Sequence, residues 1–181
     1  MSSSAPRIIS EHCSTRTAHR VSVADTDMMG IVHHANYVLL FERGRLEYLR
    51  RRGLPYKEMV GRGLHMPVVE LNVRYRKPAQ FDDLLCVETR LGALSRVTVR
   101  FNYVISRPVL ENPVLENPAF EHPVFGDTAS PGQLAPREPG DLLLEGHILL
   151  ACVDEKNRPK PLPEDIVRIL FLPEVSADQP R

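Results

Sequence analysis

The sequence has no tryptophan, few aromatic residues and no excess of charge of either sign. Lysine and arginine total 23, and aspartate and glutamate also total 23, in a chain of 181 residues. The whole protein therefore has no electrostatic reason to bind nucleic acid or an anionic membrane surface, and any anion site must be local. Because 43% of the residues are hydrophobic, the chain can still build one substantial core of ordinary domain size.

Long apolar runs and a disulfide pattern are also missing. The longest apolar runs, at residues 38–41 and 148–153, are far too short to span a bilayer. Residues 1–7 are rich in serine and lack the apolar segment of a signal peptide. The three cysteines are Cys13, Cys86 and Cys152. Their odd number and wide spacing fit neither a disulfide framework nor paired metal ligands, so we expect free thiols in a cytoplasmic protein.

The hydrophobic pattern changes period along the chain and predicts the architecture. Alternating valines predict a short strand over residues 18–24, and residues 36–52 predict a helix that ends at Gly53. Gly44 inside this helix indicates that another part of the protein approaches it closely. Alternation then returns in four more predicted strands, at residues 69–75, 84–91, 97–105 and 142–153. We expect an α+β fold with one antiparallel sheet over one long helix.

Residues 108–140 break this pattern. They carry seven of the 16 prolines and a run of near-identical pentads, PVLEN, PVLEN, PAFEH and PVFGD. A proline every five residues excludes a helix and a central strand, so we predict a surface insertion. The sharper alternative is a partner-docking surface or a flap over the active site. The predicted domain is residues 18–172, between flexible tails at 1–17 and 173–181.

The segment with the most chemical information is residues 25–37, which read DTDMMGIVHHANY. Two carboxylates and a glycine precede the helix start, where free backbone N–H groups can polarise a carbonyl and hold an oxyanion. A carboxylate just upstream can reach the same carbon atom, or a water beside it. From spacing alone, Asp25 and Asp27 could equally be turn-forming or capping residues.

This segment resembles the signature of the 4-hydroxybenzoyl-CoA thioesterase family, D-x-D-x-x-G-x-V followed by an aromatic or histidine pair, N-Y and an E-x-x-R helix. The resemblance continues through FERGRLEYL, RRGL and VRYRKPAQFDDLLCVET. It covers residues 18–106 well and 141–163 loosely. It implies the hotdog fold, in which an antiparallel sheet wraps around one long central helix. It also implies an acyl-CoA thioesterase that is a homodimer or homotetramer and uses no cofactor, because CoA is part of the substrate.

The resemblance also implies roles for individual residues. Asp27, the second acid of D-x-D, is expected to attack the thioester or to activate water. The backbone amide of His34 is expected to polarise the thioester carbonyl. Asp25 is expected to support the turn, whereas Gly30 and Tyr37 of the same motif are expected to contact the substrate.

Further substrate-binding residues are expected nearby. Glu42 could enter the acyl pocket or pair with a nearby arginine. The phosphates of CoA need local positive charge, and the candidates are Arg74, Arg76, Lys77, Arg96 and Arg100. Any one of them could instead be a solvated residue on the outer face of the sheet. The resemblance favours Arg96, which corresponds approximately to a position that contacts CoA phosphates in the family.

Other functions fit the sequence less well. His33, His34 and His65 are not expected to bind a metal, because adjacent helical residues point apart and no carboxylate or cysteine completes the ligand set. Hotdog hydratases resemble one another in having a histidine five residues after an aspartate. This chain has Val32 at that position, so the hydratase motif does not fit. Two alternatives stay open, a thioesterase for acyl chains bound to a carrier protein and a non-catalytic hotdog scaffold that binds a partner through the pentads.

Overall fold

The computed structural model describes residues 13–108 and 140–174. In this part of the chain the strands are β1 (Ser14–Arg20), β2 (Val68–Tyr75), β3 (Leu84–Leu94), β4 (Thr98–Arg107) and β5 (Asp141–Ala151). The α-helices are α1 (His34–Arg50), α2 (Tyr56–Gly61) and α3 (Glu164–Leu170), and Val23–Asp25 forms a turn of 3-10 helix. None of the described helices is long and apolar enough to cross a membrane.

The strands form one antiparallel sheet in the order β1-β3-β4-β5-β2, with α1 packed against one face. The aromatic ring of Phe41 stacks on Tyr103 with 4.1 Å between centroids, and Tyr48 meets Phe101 edge-on at 5.2 Å. These four aromatic residues are buried and form the centre of a single core between helix and sheet. The predicted α+β arrangement of one sheet over one long helix is therefore confirmed.

Gly44 lies where α1 closely approaches β3 of the sheet. A Cβ atom at this position would lie 2.3 Å from Thr89 Oγ1 of β3, so the predicted close approach is confirmed. The first turns of α1 bury Tyr37, Leu40 and Phe41, but Leu39 stays 50% exposed. The start of α1 is therefore enclosed on only part of its circumference.

The first strand begins earlier than predicted, at Ser14 instead of residue 18, and it ends at Arg20. Its inward side chain Thr15 is polar but buried, and it accepts a hydrogen bond of 2.8 Å from Arg52 Nη1. Because this inward position holds a polar residue, whose partner lies at the far end of α1, β1 lacks the apolar alternation by which a strand is recognised in a sequence. The predicted flexible tail is therefore wrong for residues 14–17, and residues 1–12 lie outside the described residues.

The sequence-based prediction missed two short helices, α2 and α3. Helix α2 follows α1. Helix α3 is attached to α1 by a hydrogen bond of 2.7 Å that the Tyr48 hydroxyl donates to the Leu170 carbonyl. Glu174, within the predicted C-terminal tail, pairs with Arg51 at 3.3 Å, and residues 175–181 lie outside the described residues.

The predicted insertion also lies almost wholly outside the described residues, at 109–139. Its flanking residues Arg107 and Asp141 are register partners on β4 and β5.

Candidate active site

A small hairpin precedes α1 and carries the predicted catalytic acid. Thr26 and Val32 pair as an isolated antiparallel bridge, and the Asp27 amide donates to the Ile31 carbonyl at 2.9 Å. The turn closes when the Gly30 amide donates to the Asp27 carbonyl at 3.0 Å. Gly30 has φ +75°, a conformation that glycine adopts at no steric cost. Gly30 thus shapes the turn beside the site, and its predicted contact with substrate stays a prediction.

Asp25 holds the turn through one of its carboxylate oxygens. Its Oδ2 atom accepts hydrogen bonds of 2.7 Å from both the amide and the hydroxyl of Ser22, and it lies 3.1 Å from His19 Nε2. Burial opposes ionisation of this carboxyl, but the Ser22 hydrogen bonds and the charge of His19 outweigh burial and lower its pKa. A carboxylate committed in this way is suited to a structural role.

Asp27 differs from Asp25 because its carboxylate accepts one hydrogen bond from the described residues, whereas Asp25 Oδ2 has three partner atoms. Oδ1 accepts a hydrogen bond of 2.8 Å from the Met29 amide, which fixes the orientation of the side chain. Within the described part of the chain, no hydrogen bond reaches Oδ2. The residue is partly exposed and is flanked by the exposed side chains of Met28 and Met29. A held but accessible carboxylate beside apolar surface can attack an acyl carbon or accept a proton from water.

The helix start is tied to the same turn. The Asp25 carbonyl accepts from the His33 amide at 2.9 Å and from Asn36 Nδ2 at 2.8 Å. His33 caps the helix, since its Nδ1 accepts from the Ala35 amide at 3.3 Å. As the first residue of α1, His34 keeps an amide N–H that has no intrahelical acceptor. This free donor and the Asp27 carboxylate therefore lie at the same end of the molecule.

Tyr37 and Tyr75 clamp the helix start against the end of β2. The Tyr37 hydroxyl accepts from the Ala79 amide at 3.1 Å, and Ala79 in turn accepts from the Val32 amide at 2.8 Å. Tyr75 donates to the His34 carbonyl at 3.1 Å, and the two tyrosine rings meet edge-on. Tyr37 is only 3% exposed, so this structure gives it a positioning role. Its predicted contact with substrate stays a prediction.

The predicted CoA-binding residues do not form one patch within a single chain. Arg74, Arg76 and Lys77 lie at and just beyond the end of β2, whereas Arg96 lies in the β3–β4 turn at the opposite end of β4. Arg76 pairs with Glu145, and Lys77 pairs with Asp141 at 2.7 Å. Arg100 is half-buried on β4. Among the first group, Arg74 is the cation for which the described residues provide no ion pair.

Glu42 lines a cleft of about 450 Å³ that the sequence-based reasoning missed. The cleft is bordered by Val38, Glu42 and Arg45 of α1, by Tyr56, and by residues 65–68. Glu42 also pairs with Arg45, Nη2 to Oε1, at 3.9 Å, so both roles considered for it are compatible with its position. His65 belongs to this cleft, whereas His33 and His34 stack at the helix start. The described residues contain no cluster of side chains that could hold a metal ion.

Arg45 is the unusual residue of this cleft. It is only 8% exposed, and its Nε and Nη1 atoms have no hydrogen-bond partner in the described structure. A signal for it exists in the sequence, because Arg45 falls four residues after Phe41 and three before Tyr48, on the stripe of α1 that faces the core. A charged residue on a core-facing stripe marks either a buried ion pair or a ligand site.

The sequence profile of the thioesterase superfamily matches residues 29–110, which include the helix start, α1 and the first three strands after the turn. The acyl-CoA thioesterase YbgC of Haemophilus influenzae is 37% identical over 92 residues, which span 50% of this chain and 68% of the relative. The chain belongs to the thioesterase superfamily.

Two further likenesses extend over most of the chain. The acyl-CoA thioester hydrolase YbgC of Escherichia coli is 28% identical over 149 residues, 82% of this chain and 89% of the relative. The crystal structure of 4-hydroxybenzoyl-CoA thioesterase from Pseudomonas superposes with a TM-score of 0.64 at 22% identity and covers 86% of this chain and 98% of the other. The predicted hotdog fold, the resemblance to the 4-hydroxybenzoyl-CoA thioesterase family and the assignment as a thioester hydrolase are thereby confirmed for this thioesterase.

Proposed function

We propose that this thioesterase hydrolyses acyl-CoA to the free acid and CoA, with Asp27 as the acting carboxylate. The observation that carries the proposal is the contrast within the D-x-D motif. Three partner atoms, from Ser22 and His19, contact Oδ2 of Asp25, whereas the Asp27 carboxylate accepts a single hydrogen bond from the described residues, donated by the Met29 amide. The names of the YbgC relatives support the acyl-CoA substrate class.

In the proposed reaction the thioester carbonyl oxygen accepts a hydrogen bond from the His34 amide at the start of α1. The positive end of the helix dipole favours the negative charge that develops on this oxygen. Asp27 then either attacks the carbonyl carbon and expels CoA thiolate, leaving an anhydride that water hydrolyses, or takes a proton from a water that attacks directly. Both routes need the ionised carboxylate of Asp27, and neither needs a metal or another cofactor.

For the CoA phosphates we propose Arg74 and Arg96 as the main contacts, with Arg76 and Lys77 as weaker ones. Arg74 and Arg96 are exposed and have no acidic partner among the described residues, whereas Glu145 and Asp141 partly neutralise the other two. Phosphate is bound best by cations that do not first have to leave an ion pair. Because the two arginines lie far apart in one chain, a single CoA could meet both only if two subunits share the site.

We also propose that the protein is a homodimer joined along β2. This edge strand exposes apolar side chains on its helix side, Val68 at 50%, Leu71 at 43% and Tyr75 at 48%. The other edge strand, β1, instead exposes Arg16, Ala18 and Arg20. A long apolar edge invites pairing with a second copy, and an antiparallel pair of identical strands is two-fold symmetric.

Such pairing would join two parts of the site. Tyr75 at the end of β2 contacts His34, and Val68 at its beginning lines the cleft of Arg45. Antiparallel pairing of two β2 strands exchanges these ends, so the Asp27 turn of one subunit would face the Arg45 cleft of its partner. We propose a cytoplasmic setting as well, which the three buried free thiols support.

The proposed activity is tested by incubating the purified full-length protein with a panel of acyl-CoA esters and measuring release of free thiol. We expect turnover of at least one class of straight-chain, branched or aromatic ester. The same acyl groups on a carrier protein serve as the comparison. A preference for the carrier-bound esters would shift the substrate class, and absence of turnover with every ester would contradict hydrolysis and favour a non-catalytic scaffold.

A further inference from the structure

His33 fixes the peptide group that carries the proposed oxyanion donor. The N–H of His34 belongs to the peptide bond between His33 and His34. The carbonyl of this peptide accepts a hydrogen bond of 2.9 Å from the Asn36 amide, and the His33 amide donates to the Asp25 carbonyl at 2.9 Å. The peptide is therefore held on both sides of His33, while the His34 N–H keeps no intrahelical acceptor.

The side chain of His33 adds a third contact at the same place. His33 is the N-cap of α1, and its Nδ1 atom accepts a hydrogen bond of 3.3 Å from the Ala35 amide. The His33 ring also lies against the ring of His34, with 4.2 Å between centroids. An imidazole nitrogen accepts a hydrogen bond only while it carries no proton. The cap therefore exists only in the form of His33 in which Nδ1 is unprotonated.

Histidine is not among the preferred helix caps, and its neutral form suits this position for a chemical reason. Asparagine, aspartate and serine are preferred, and aspartate is further stabilised by the positive end of the helix dipole. A carboxylate at residue 33 would, however, lie next to the His34 amide and repel the negative charge that develops on the thioester oxygen. A neutral acceptor caps the helix without opposing that charge.

We propose that His33 is a positioning residue for this reaction, whose unprotonated imidazole holds the His34 amide toward the thioester oxygen and whose protonation releases that amide. This inference rests on the proposed function, and it adds regulation of the same site by pH. A proton on Nδ1 removes the acceptor of the Ala35 amide, so the first turn of α1 loses its cap. Turnover should therefore fall between about pH 8 and about pH 5, where histidine side chains take up a proton.

Other titratable and charged groups lie on the elements that form the helix start. In chain order they are His19 of β1, Asp25 and Asp27 of the turn, His34 and Tyr37 of α1, Tyr75 of β2, Lys77 and Asp83 before β3, and Arg107 of β4. Burial opposes ionisation of Asp25, but hydrogen bonds from Ser22 lower its pKa, and burial raises the pKa of Tyr37 and Tyr75. These three groups thus keep their charge between about pH 5 and about pH 8. The other groups are common to every variant of residue 33 and cancel in a comparison.

The test measures kcat and KM across this pH range for the wild type and three variants of residue 33, with the acyl-CoA ester that the wild type hydrolyses best. His33→Ala removes the cap and should lower kcat at the alkaline end by about threefold to tenfold, part of the loss expected when an oxyanion donor is removed. KM should change little. His33→Asn restores a cap that does not titrate, so it should regain most of the turnover and lose less of it than the wild type as the pH falls.

His33→Asp separates positioning from stability. Aspartate caps a helix as well as asparagine does, so the melting temperature should equal or exceed that of the wild type. Its carboxylate repels the oxyanion, so kcat should fall by about tenfold or more relative to His33→Asn. Equal kcat in the Asp and Asn variants, parallel pH profiles of the wild type and His33→Asn, or wild-type kcat in His33→Ala would each overturn the proposal.

Failure of the proposed activity has a different signature. Absence of turnover of every ester by the wild type would reject hydrolysis, but the melting temperatures would still test the cap. The wild type should lose stability relative to His33→Asn as the pH falls, because protonation removes the cap only where residue 33 is histidine. A constant gap between the two melting temperatures across the pH range would show that His33 does not cap α1 and would overturn the proposal.

Discussion

The turn before α1 and the cleft beside its middle are built in opposite ways. The turn is held by hydrogen bonds among residues 22–36, which leave an oxygen of Asp27 without a partner in the described structure. The cleft is assembled from α1, α2 and residues 65–68, and it leaves Arg45 buried with two unpaired donors. The turn is thus built from contacts between residues close together in the chain, whereas the cleft is built from segments that are distant in the chain.

This difference indicates a division of labour in the proposed enzyme. The turn offers a carboxylate and a backbone amide, which act on the thioester group that every acyl-CoA shares. The cleft offers a charged donor and an apolar wall, which can distinguish one acyl group from another. A change in the turn should therefore affect all substrates alike, and a change in the cleft should affect some more than others.

The largest effect is expected from Asp27→Asn. Asparagine keeps the shape and can still accept from the Met29 amide, but it can neither attack nor remove a proton. Turnover should fall by about a hundredfold or more, within the range typical for loss of a general base or nucleophile. The loss should be similar for every ester tested, and the melting temperature should change little. Turnover close to wild type would remove Asp27 from the mechanism.

The next largest effect is expected at the proposed dimer edge. Leu71→Asp places a charge among the exposed apolar side chains on the helix side of β2, and it should convert a dimer into a monomer with much lower activity. Asn72→Asp adds the same charge on the opposite face of the strand and is the matched control. Light scattering gives the mass of each variant. A wild-type monomer with full activity would contradict the proposed shared site.

A smaller effect, on stability alone, is expected from Asp25→Asn. The folded-state pKa of Asp25 lies below its ordinary value of 3.8, so its ionised form stabilises the fold above that pH, and the stabilisation is lost as the pH falls through the folded-state pKa. The variant should melt at a lower temperature than wild type at pH 7, and the gap should narrow in strong acid. A large fall in turnover at unchanged melting temperature would instead assign Asp25 to the chemistry.

The smallest effect is expected from removing residues 108–140 and joining Arg107 to Asp141 through Asn-Gly. These two residues are already register partners, and a two-residue turn suits an antiparallel pair. The shortened protein should fold and keep most of its activity against the ester panel. Loss of folding would make the segment structural, and loss of turnover at unchanged stability would make it part of the site.

The sequence predicted the features that depend on residues close together in the chain. The sheet, α1 and the close approach at Gly44 follow from period, glycine placement and turn signals within short windows. The D-x-D turn could also be located, because its contacts join residues fewer than twelve apart. Spacing alone could not show which of the two aspartates holds the turn, because this role depends on contacts with His19 and Ser22 upstream.

The parts that were missed depend on contacts between distant residues. β1 was placed too late because Thr15 is buried through a hydrogen bond with Arg52, which lies 37 residues away. The separation of Arg96 from Arg74 follows from strand order, which a single sequence does not reveal. The cleft of Arg45 needs α1, Tyr56 and residues 65–68 to converge, and no local pattern reports that convergence.

Mixing two defective proteins shows whether the turn and the cleft form one site across two subunits. Asp27→Asn and Arg45→Met are co-refolded in equal amounts, and turnover of the acyl-CoA ester that the wild type hydrolyses best is measured. If each site takes Asp27 from one subunit and Arg45 from the other, random pairing of a symmetric dimer restores about a quarter of the wild-type sites, with wild-type selectivity. If mixing yields no more than the average of the two parent proteins, the turn and the cleft do not meet across the dimer, and the account of a shared site is wrong.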